Sequence, residues 1–316
     1  MMETIDKEEA SEKKSVFLKM LGGFIVLVVI LLLGAYFFLP NGSMNSTFNS
    51  NTNFSINDSS DMQFYENMRF PGKNISYSID DDCTIAKRGQ MIWAFDILEN
   101  LTVLNFYESS PSQIRVSCDE KNRMSDDGLF IAGEGGPTNI SMGKIYKVIG
   151  GGQILLIRDS TCERPNIAIH ELLHVLGFKH SQNPNNIMYP VSKCKQVIGE
   201  DTIDKINELY SVDELPDLQF EKVSADIKSR LLNLEMVIRN EGLKSSGSFD
   251  VYIYSGDKKI KKISFEEGLP IGGGSSISIE NLVVPTIKID SLRVVIKGGF
   301  PEIDKKNNEI ILDFSK

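Results

Sequence analysis

His170-Glu171-Leu172-Leu173-His174-Val175-Leu176-Gly177-Phe178-Lys179-His180 is the stretch from which the rest of the chain is read. It holds all three histidines of a 316-residue sequence, in the pattern H-E-x-x-H-x-x-G-x-x-H. On a helix, residues i and i+4 share a face, so His170 and His174 can offer their imidazoles to one metal ion. Glu171 stands beside the first of them, placed to take a proton from a metal-activated water without itself binding the metal. Gly177 lets the chain leave the helix through the left-handed conformation, where glycine has no Cβ to clash. His180 then completes a three-nitrogen set with a fourth position left for water, the arrangement of catalytic rather than structural zinc. An amphipathic core helix with hydrogen-bonded histidines would have no use for five positions fixed in this order.

Working outward, residues 68–211 predict mixed α and β structure. Ile75, Tyr77 and Ile79 alternate with polar residues, as do Ile114, Val116 and Cys118, giving two half-buried strands. Between them Met91, Phe95 and Leu98 recur at helical spacing within 86–101. A glycine-rich region, 128–152, leads into the apolar run 154–157, a strand covered on both faces. Pro165 is expected in the first turn of the histidine helix, which would run to about Leu176. A last helix is expected at 201–210, with Asp201 as its N-cap. After Leu215-Pro216 the pattern is strands alone, at 232–238, 251–254, 277–279, 292–296 and 310–312, separated by Gly, Asn, Asp and Ser. About a hundred residues of this kind predict a β-sandwich.

The histidine segment resembles the metzincin metalloproteases, and within them the matrixin branch. Asn186-Ile187-Met188-Tyr189-Pro190 resembles the methionine turn that metzincins place beneath the metal, and His180-Ser181 and Met188-Tyr189-Pro190 resemble matrixin wording. The resemblance implies an α+β catalytic domain over 63–213, a twisted mixed sheet plus three helices, with His170, His174 and His180 as zinc ligands and Glu171 as the catalytic residue. It implies that Gly177, Met188, Tyr189 and Pro190 support the site, Met188 as an apolar floor and the last two as lining for the substrate, and that an edge strand within 133–149 pairs with an extended peptide substrate. Astacin-like and serralysin-like relatives place a tyrosine ligand two residues after the methionine. That position is Pro190, so Tyr189 is not expected to bind the metal. No histidine remains for a second zinc; calcium at Asp126, Asp127, Glu134 or Asp159 would need only carboxylate oxygens, although scattered carboxylates are usually just a solvated surface. The C-terminal stretch, 214–316, resembles the CARDB-type immunoglobulin-like domains in Val237-Ile-Arg-Asn-Glu-Gly242, Gly268-Leu-Pro-Ile-Gly272 and Asp304-Lys-Lys-Asn-Asn-Glu309.

The four cysteines show no C-x₂₋₄-C spacing and read as disulfides rather than zinc ligands. Three pairings are possible. The favoured one joins Cys162 to Cys194 and Cys83 to Cys118, because Cys162 precedes the histidine helix and Cys194 follows the methionine turn. A closed loop of about thirty residues there would contribute roughly 3 to 4 kcal/mol in the chain-entropy model.

Residues 20–39 (MLGGFIVLVVILLLGAYFFL) carry no charge. As a helix they would span about 30 Å, one bilayer core, and no small-residue cleavage site follows them, so a signal anchor is preferred to a cleaved signal peptide. Lys7, Lys13, Lys14 and Lys19 precede the run and no Lys or Arg follows it until Arg69, which places residues 1–19 in the cytoplasm and the rest outside. Residues 40–62, dominated by Asn, Ser and Thr, read as a stalk. N-x-[ST] sequons at Asn74, Asn100 and Asn139, beyond the four that the stalk's composition generates, suit an extracellular location.

A net charge of −9 and a pI near 5.1 argue against a nucleic-acid partner. The expected function is a single-pass, membrane-anchored extracellular zinc endopeptidase acting on peptide or protein substrates. The competing reading is a surface adhesion protein working through its immunoglobulin-like domain, whose ligand the sequence does not name, with a secondary or inactive protease domain. An inactive copy would have lost Glu171 or a ligand, and all four residues are present. The sandwich is expected to be dispensable for the chemistry, since every candidate ligand precedes Ser211.

Overall fold

The computed structural model describes residues 62–316, apart from 122, 125–127, 129, 229, 286–289 and 315–316. The expected cytoplasmic tail, membrane anchor and nearly all of the stalk lie outside the described residues, as do Asp126 and Asp127. Among the described residues no helix is long and apolar enough to cross a membrane.

The first part of the chain runs β1 (Met68–Arg69), β2 (Asn74–Ile79), α1 (Ile85–Leu101), β3 (Asn105–Glu108), β4 (Ile114–Cys118), β5 (Arg123–Met124), β6 (Phe130–Ile131), β7 (Gly133–Met142), β8 (Lys147–Leu156), α2 (Asn166–Val175) and α3 (Glu200–Leu209). Its main sheet has the order β1-β8-β4-β2-β3, all parallel, and β7 lies antiparallel along the other side of β8. Parallel neighbours need a crossover, and α1 supplies the one between β2 and β3. Its buried residues Met91, Ala94, Phe95 and Leu98 fall on one face, and Thr84 caps it by accepting from the Lys87 amide. They join Phe70, Ile75, Ile154, Leu172, Leu173 and Phe178 in one apolar core, and α2 packs on β7 and β8.

The second part is a seven-stranded sandwich. It comprises β9 (Leu218–Lys228), β10 (Leu231–Asn240), β11 (Phe249–Ser255), β12 (Lys258–Phe265), β13 (Gly274–Val283), β14 (Ser291–Gly298) and β15 (Glu309–Asp313). The sheets β13-β10-β9 and β12-β11-β14-β15 enclose their own core, with Leu232, Leu234, Met236 and Ile238 facing Val251, Ile253, Val294 and Ile296.

Two local expectations differ from the structure. Pro165 stands just before α2, not in its first turn. Asp201 is not the N-cap of the last helix: Gly199 is, and Asp201 lies in the first turn, where a carboxylate favours the helix dipole. The glycine-rich region forms an extended hairpin, β7 with β8, and β7 is the edge strand expected within 133–149; its glycines carry no hydrophobic period yet still form ladder hydrogen bonds. Strands β9 and β12 also escaped the sequence reading, since segments such as Lys258-Lys-Ile-Lys-Lys262 bury few apolar side chains.

Arg69 ties the end of α3 to β1. It is 1% exposed, donates to the carbonyls of Phe70, Pro71, Leu209 and Val212, and lies 4.4 Å from the centre of the Tyr210 ring. The Tyr210 hydroxyl accepts the Phe70 amide 3.0 Å away, and burial pushes its pKa up to about 12. Arg69→Met keeps the apolar stem but strands these buried acceptors. It should lower the unfolding free energy by about 2–3 kcal/mol, measured by urea denaturation.

Candidate active site

Helix α2 holds His170 and His174 one turn apart and buried, at 5% and 8% exposure. After Leu176 the backbone turns at Gly177, whose φ is +97°, and the chain reverses to bring in His180. A Cβ on Gly177 would also stand 2.9 Å from Met68 Cγ, so both conformation and space require glycine there. The Nε2 atoms of the three histidines lie 3.1, 3.1 and 3.3 Å apart. Tetrahedral corners around an ion with Zn–N bonds of about 2.0 Å are roughly 3.3 Å apart, so the donor set fits zinc.

The other ring nitrogens decide which atom faces the metal position. His170 Nδ1 donates to the Ile187 carbonyl at 2.7 Å and His174 Nδ1 to the Phe178 carbonyl at 2.7 Å, leaving both Nε2 lone pairs directed inward. Burial lowers the pKa of all three rings, His170 to about 4 and His174 to about 3, so they are neutral near pH 7, the form in which a histidine ligates metal.

Two turns carry those carbonyls. Ile187 and Met188, each 2% exposed, sit in a turn where the Asn186 side chain accepts the Met188 amide and the Met188 carbonyl accepts the Ser181 amide. Tyr189 is half-buried and Pro190 exposed. Buried Gln196 holds the following loop, donating to the Pro184 and Val191 carbonyls and accepting the Lys193 amide, while Asn166 at the start of α2 donates to the Lys193 carbonyl. The Cys162–Cys194 disulfide joins the same two segments, and Cys83–Cys118 links the approach to α1 with the end of β4. The second turn is held from the start of the described chain. The Phe64 amide bonds the Gly177 carbonyl, the Lys179 amide bonds the Met62 carbonyl, and the Phe64 ring stacks on His174 at 5.9 Å.

Glu171 is 6% exposed and lies between α2 and the edge strand β7. A Cβ on Gly133 would fall 2.8 Å from its Cγ, and one on Gly135 would run into its backbone oxygen. These two glycines let β7 close over the zinc helix, a role the sequence reading missed although the run Gly133-Glu-Gly-Gly136 was its visible sign. Burial pushes the Glu171 carboxyl up to about 8, the nearby Glu134 charge adds to this, and the Gly135 amide opposes it. Glu134 pairs with Arg123 at 3.7 Å. Among the described residues the three histidines form the one group of His, Cys, Asp and Glu whose ligand atoms converge within 4.8 Å. Glu134 and Asp159 join no such group, which leaves calcium without support.

Residues 62–213 match the profile of the peptidase family described as Astacin. The match supports a metzincin zinc metallopeptidase domain; it does not support the matrixin assignment, astacins being a different metzincin branch. No curated protein matches the chain. A CARDB domain of Pyrococcus furiosus, solved in complex with di-metal ions, is similar at 17% identity and a TM-score of 0.26, over 32% of this chain and 87% of that one. A domain of a putative cell surface protein of Methanosarcina acetivorans is similar at 18% identity and a TM-score of 0.27, over 31% of this chain and 88% of that one. High choriolytic enzyme 1, a hatching enzyme zinc-protease of the medaka fish Oryzias latipes, is similar at 21% identity and a TM-score of 0.22, over 35% of this chain and 46% of that one.

The glycine contacts yield a paired prediction. Gly135→Ala drives a methyl into the backbone of α2 and should cost about 1–3 kcal/mol of stability along with zinc affinity. Gly136→Ala meets nothing within 4 Å and should leave both near wild type. Thermal unfolding and zinc content of the two variants, measured side by side, check this.

Proposed function

We propose that the chain is a membrane-tethered extracellular zinc endopeptidase. The convergence of His170, His174 and His180 Nε2 atoms beside a buried carboxylate, Glu171, carries the peptidase reading. When bound there, zinc supplies a Lewis acid that acidifies water and polarises a carbonyl. His170, His174 and His180 hold the metal. Glu171 takes the proton of the attacking water and delivers it to the leaving amine, its carboxylate standing buried beside the ligand His170. Strand β7 pairs only with β8 among the described strands, so its outer edge can receive an extended peptide by strand addition, which suits a protein substrate.

The profile match is to astacins, yet Pro190 stands where a tyrosine ligand would be, so we assign a three-histidine site with Tyr189 and Pro190 beside the substrate, a matrixin-like trait. The domains are assigned as a cytoplasmic tail at 1–19, a signal anchor at 20–39, a stalk at 40–62, the protease at 63–213 and the sandwich at 214–316. The uncharged run 20–39, the lysines before it and the sequons after it support this topology.

Glu171→Ala should retain about one zinc per chain and lose at least 10²–10⁴-fold in turnover of a peptide. His174→Ala should lose the metal as well. Near-native turnover in Glu171→Ala, or zinc loss equal to that of His174→Ala, would overturn the mechanism. For the topology, proteolytic shaving of intact cells should remove residues 63–316 and spare the N-terminal tail. The opposite pattern would reverse the orientation.

A further inference from the structure

Two motifs of the sandwich, Asn240-Glu241-Gly242 and Gly268-Leu-Pro-Ile-Gly272, have no part in the zinc chemistry, yet they lie at the tip of the edge hairpin. Glu241, only 3% exposed, accepts the Lys144 amide in the turn between β7 and β8 at 2.5 Å. A Cβ on Gly272 would stand 3.0 Å from Ser141 Cβ, and one on Gly143 would stand 2.8 Å from Glu241 Oε2, so the sandwich loops meet the hairpin with no room between. The loops themselves are rigidly knit. Asn240, fully buried, accepts the amides of Asp217 and Gly242 and donates to the carbonyls of Lys244 and Leu269. Its backbone exchanges hydrogen bonds with Gly272 and Gly273. Arg239 holds the Gly272 carbonyl at 3.0 Å and pairs with Glu221 at 2.7 Å.

Strand β7 is thus held at both ends, by α2 at Gly133 and Gly135 and by the sandwich at Ser141–Lys144. We propose that Glu241 is a positioning residue for substrate: through the Lys144 amide it fixes the far half of β7 in the extended form that an incoming peptide must pair with. This rests on the peptidase reading above. Glu171 marks the level of the scissile bond at Gly133–Gly135, and Ser141 is six residues further along, roughly 20 Å at about 3.3 Å per residue. A peptide added antiparallel to β7 runs its N-terminal side toward Ser141. The residues served by the clasp are therefore those about four to six positions before the scissile bond, by the same rise per residue. An unclasped β7 tip must be ordered by the substrate itself, and that ordering cost appears in binding, not in the proton transfers at Glu171.

The test uses the full chain and two peptides with one cleavage site, one extended by six residues on its N-terminal side and one without the extension. Wild type should bind the long peptide with the lower KM. Glu241→Ala should raise KM for the long peptide about tenfold, as loss of a hydrogen bond to a charged group allows, while kcat and the short peptide's kinetics stay within twofold of wild type. Glu241→Gln keeps an acceptor oxygen and should restore most of the difference. Hydrogen exchange of Glu241→Ala should quicken in the hairpin tip around Lys144 and remain unchanged in α2, which establishes that the variant is folded. Equal losses on both peptides, an unaltered KM for the long one, or no rescue by glutamine would overturn the proposal. A wild-type protein that binds zinc and cleaves neither peptide would overturn the peptidase reading, and the clasp with it.

Discussion

The site depends on two backbone carbonyls, those of Ile187 and Phe178. Each accepts the Nδ1 proton of a buried imidazole and so turns an Nε2 lone pair toward the metal position. A histidine free to rotate or to change tautomer would be a poor ligand and, at this burial, an unsatisfied polar group. Much of the surrounding architecture serves to hold those two carbonyls still. The Gln196 and Asn166 side chains and the Cys162–Cys194 bridge fix the turn that carries Ile187. The segment from Met62 to Phe64 fixes the turn that carries Phe178, so the residues where the stalk was expected to end are structural parts of the zinc site.

Glu171 poses the opposite electrostatic problem. The histidines are neutral when buried and cost little, whereas a carboxylate enclosed between a helix and a strand resists ionisation. The fold closes that strand tightly through Gly133 and Gly135 and supplies one compensating amide, from Gly135. Arg123 offsets the Glu134 charge nearby without reaching Glu171. Strand β7 thus lies against Glu171 on one face and pairs with β8 along one edge, with no other described strand along the opposite edge.

The two cores are separate, yet the chain between them is short and well bonded. The Leu243 amide meets the Leu215 carbonyl and the Glu241 amide meets the Asp217 carbonyl, which sets the sandwich loops beside the β7–β8 turn. The sandwich carries none of the three histidines, yet its buried Glu241 reaches the β7–β8 turn through the Lys144 amide.

Local chemistry made the histidines, Glu171 and Gly177 legible from sequence, because metal ligation and a left-handed exit from a helix each demand particular residue types at fixed spacing. Hydrophobic alternation likewise located β2, β4, β10, β11 and β14, since each buries one face. The same logic failed for β9, β12 and the glycine-rich half of the β7–β8 hairpin, where charged or absent side chains leave the ladder without a periodic signal. The partnership of Gly135 with Glu171, of Gln196 with the loop before it, and of Glu241 with Lys144 was decided by tertiary structure alone. Each joins groups far apart in the chain or acts through backbone atoms, and backbone amides and carbonyls are the same at every position of a sequence.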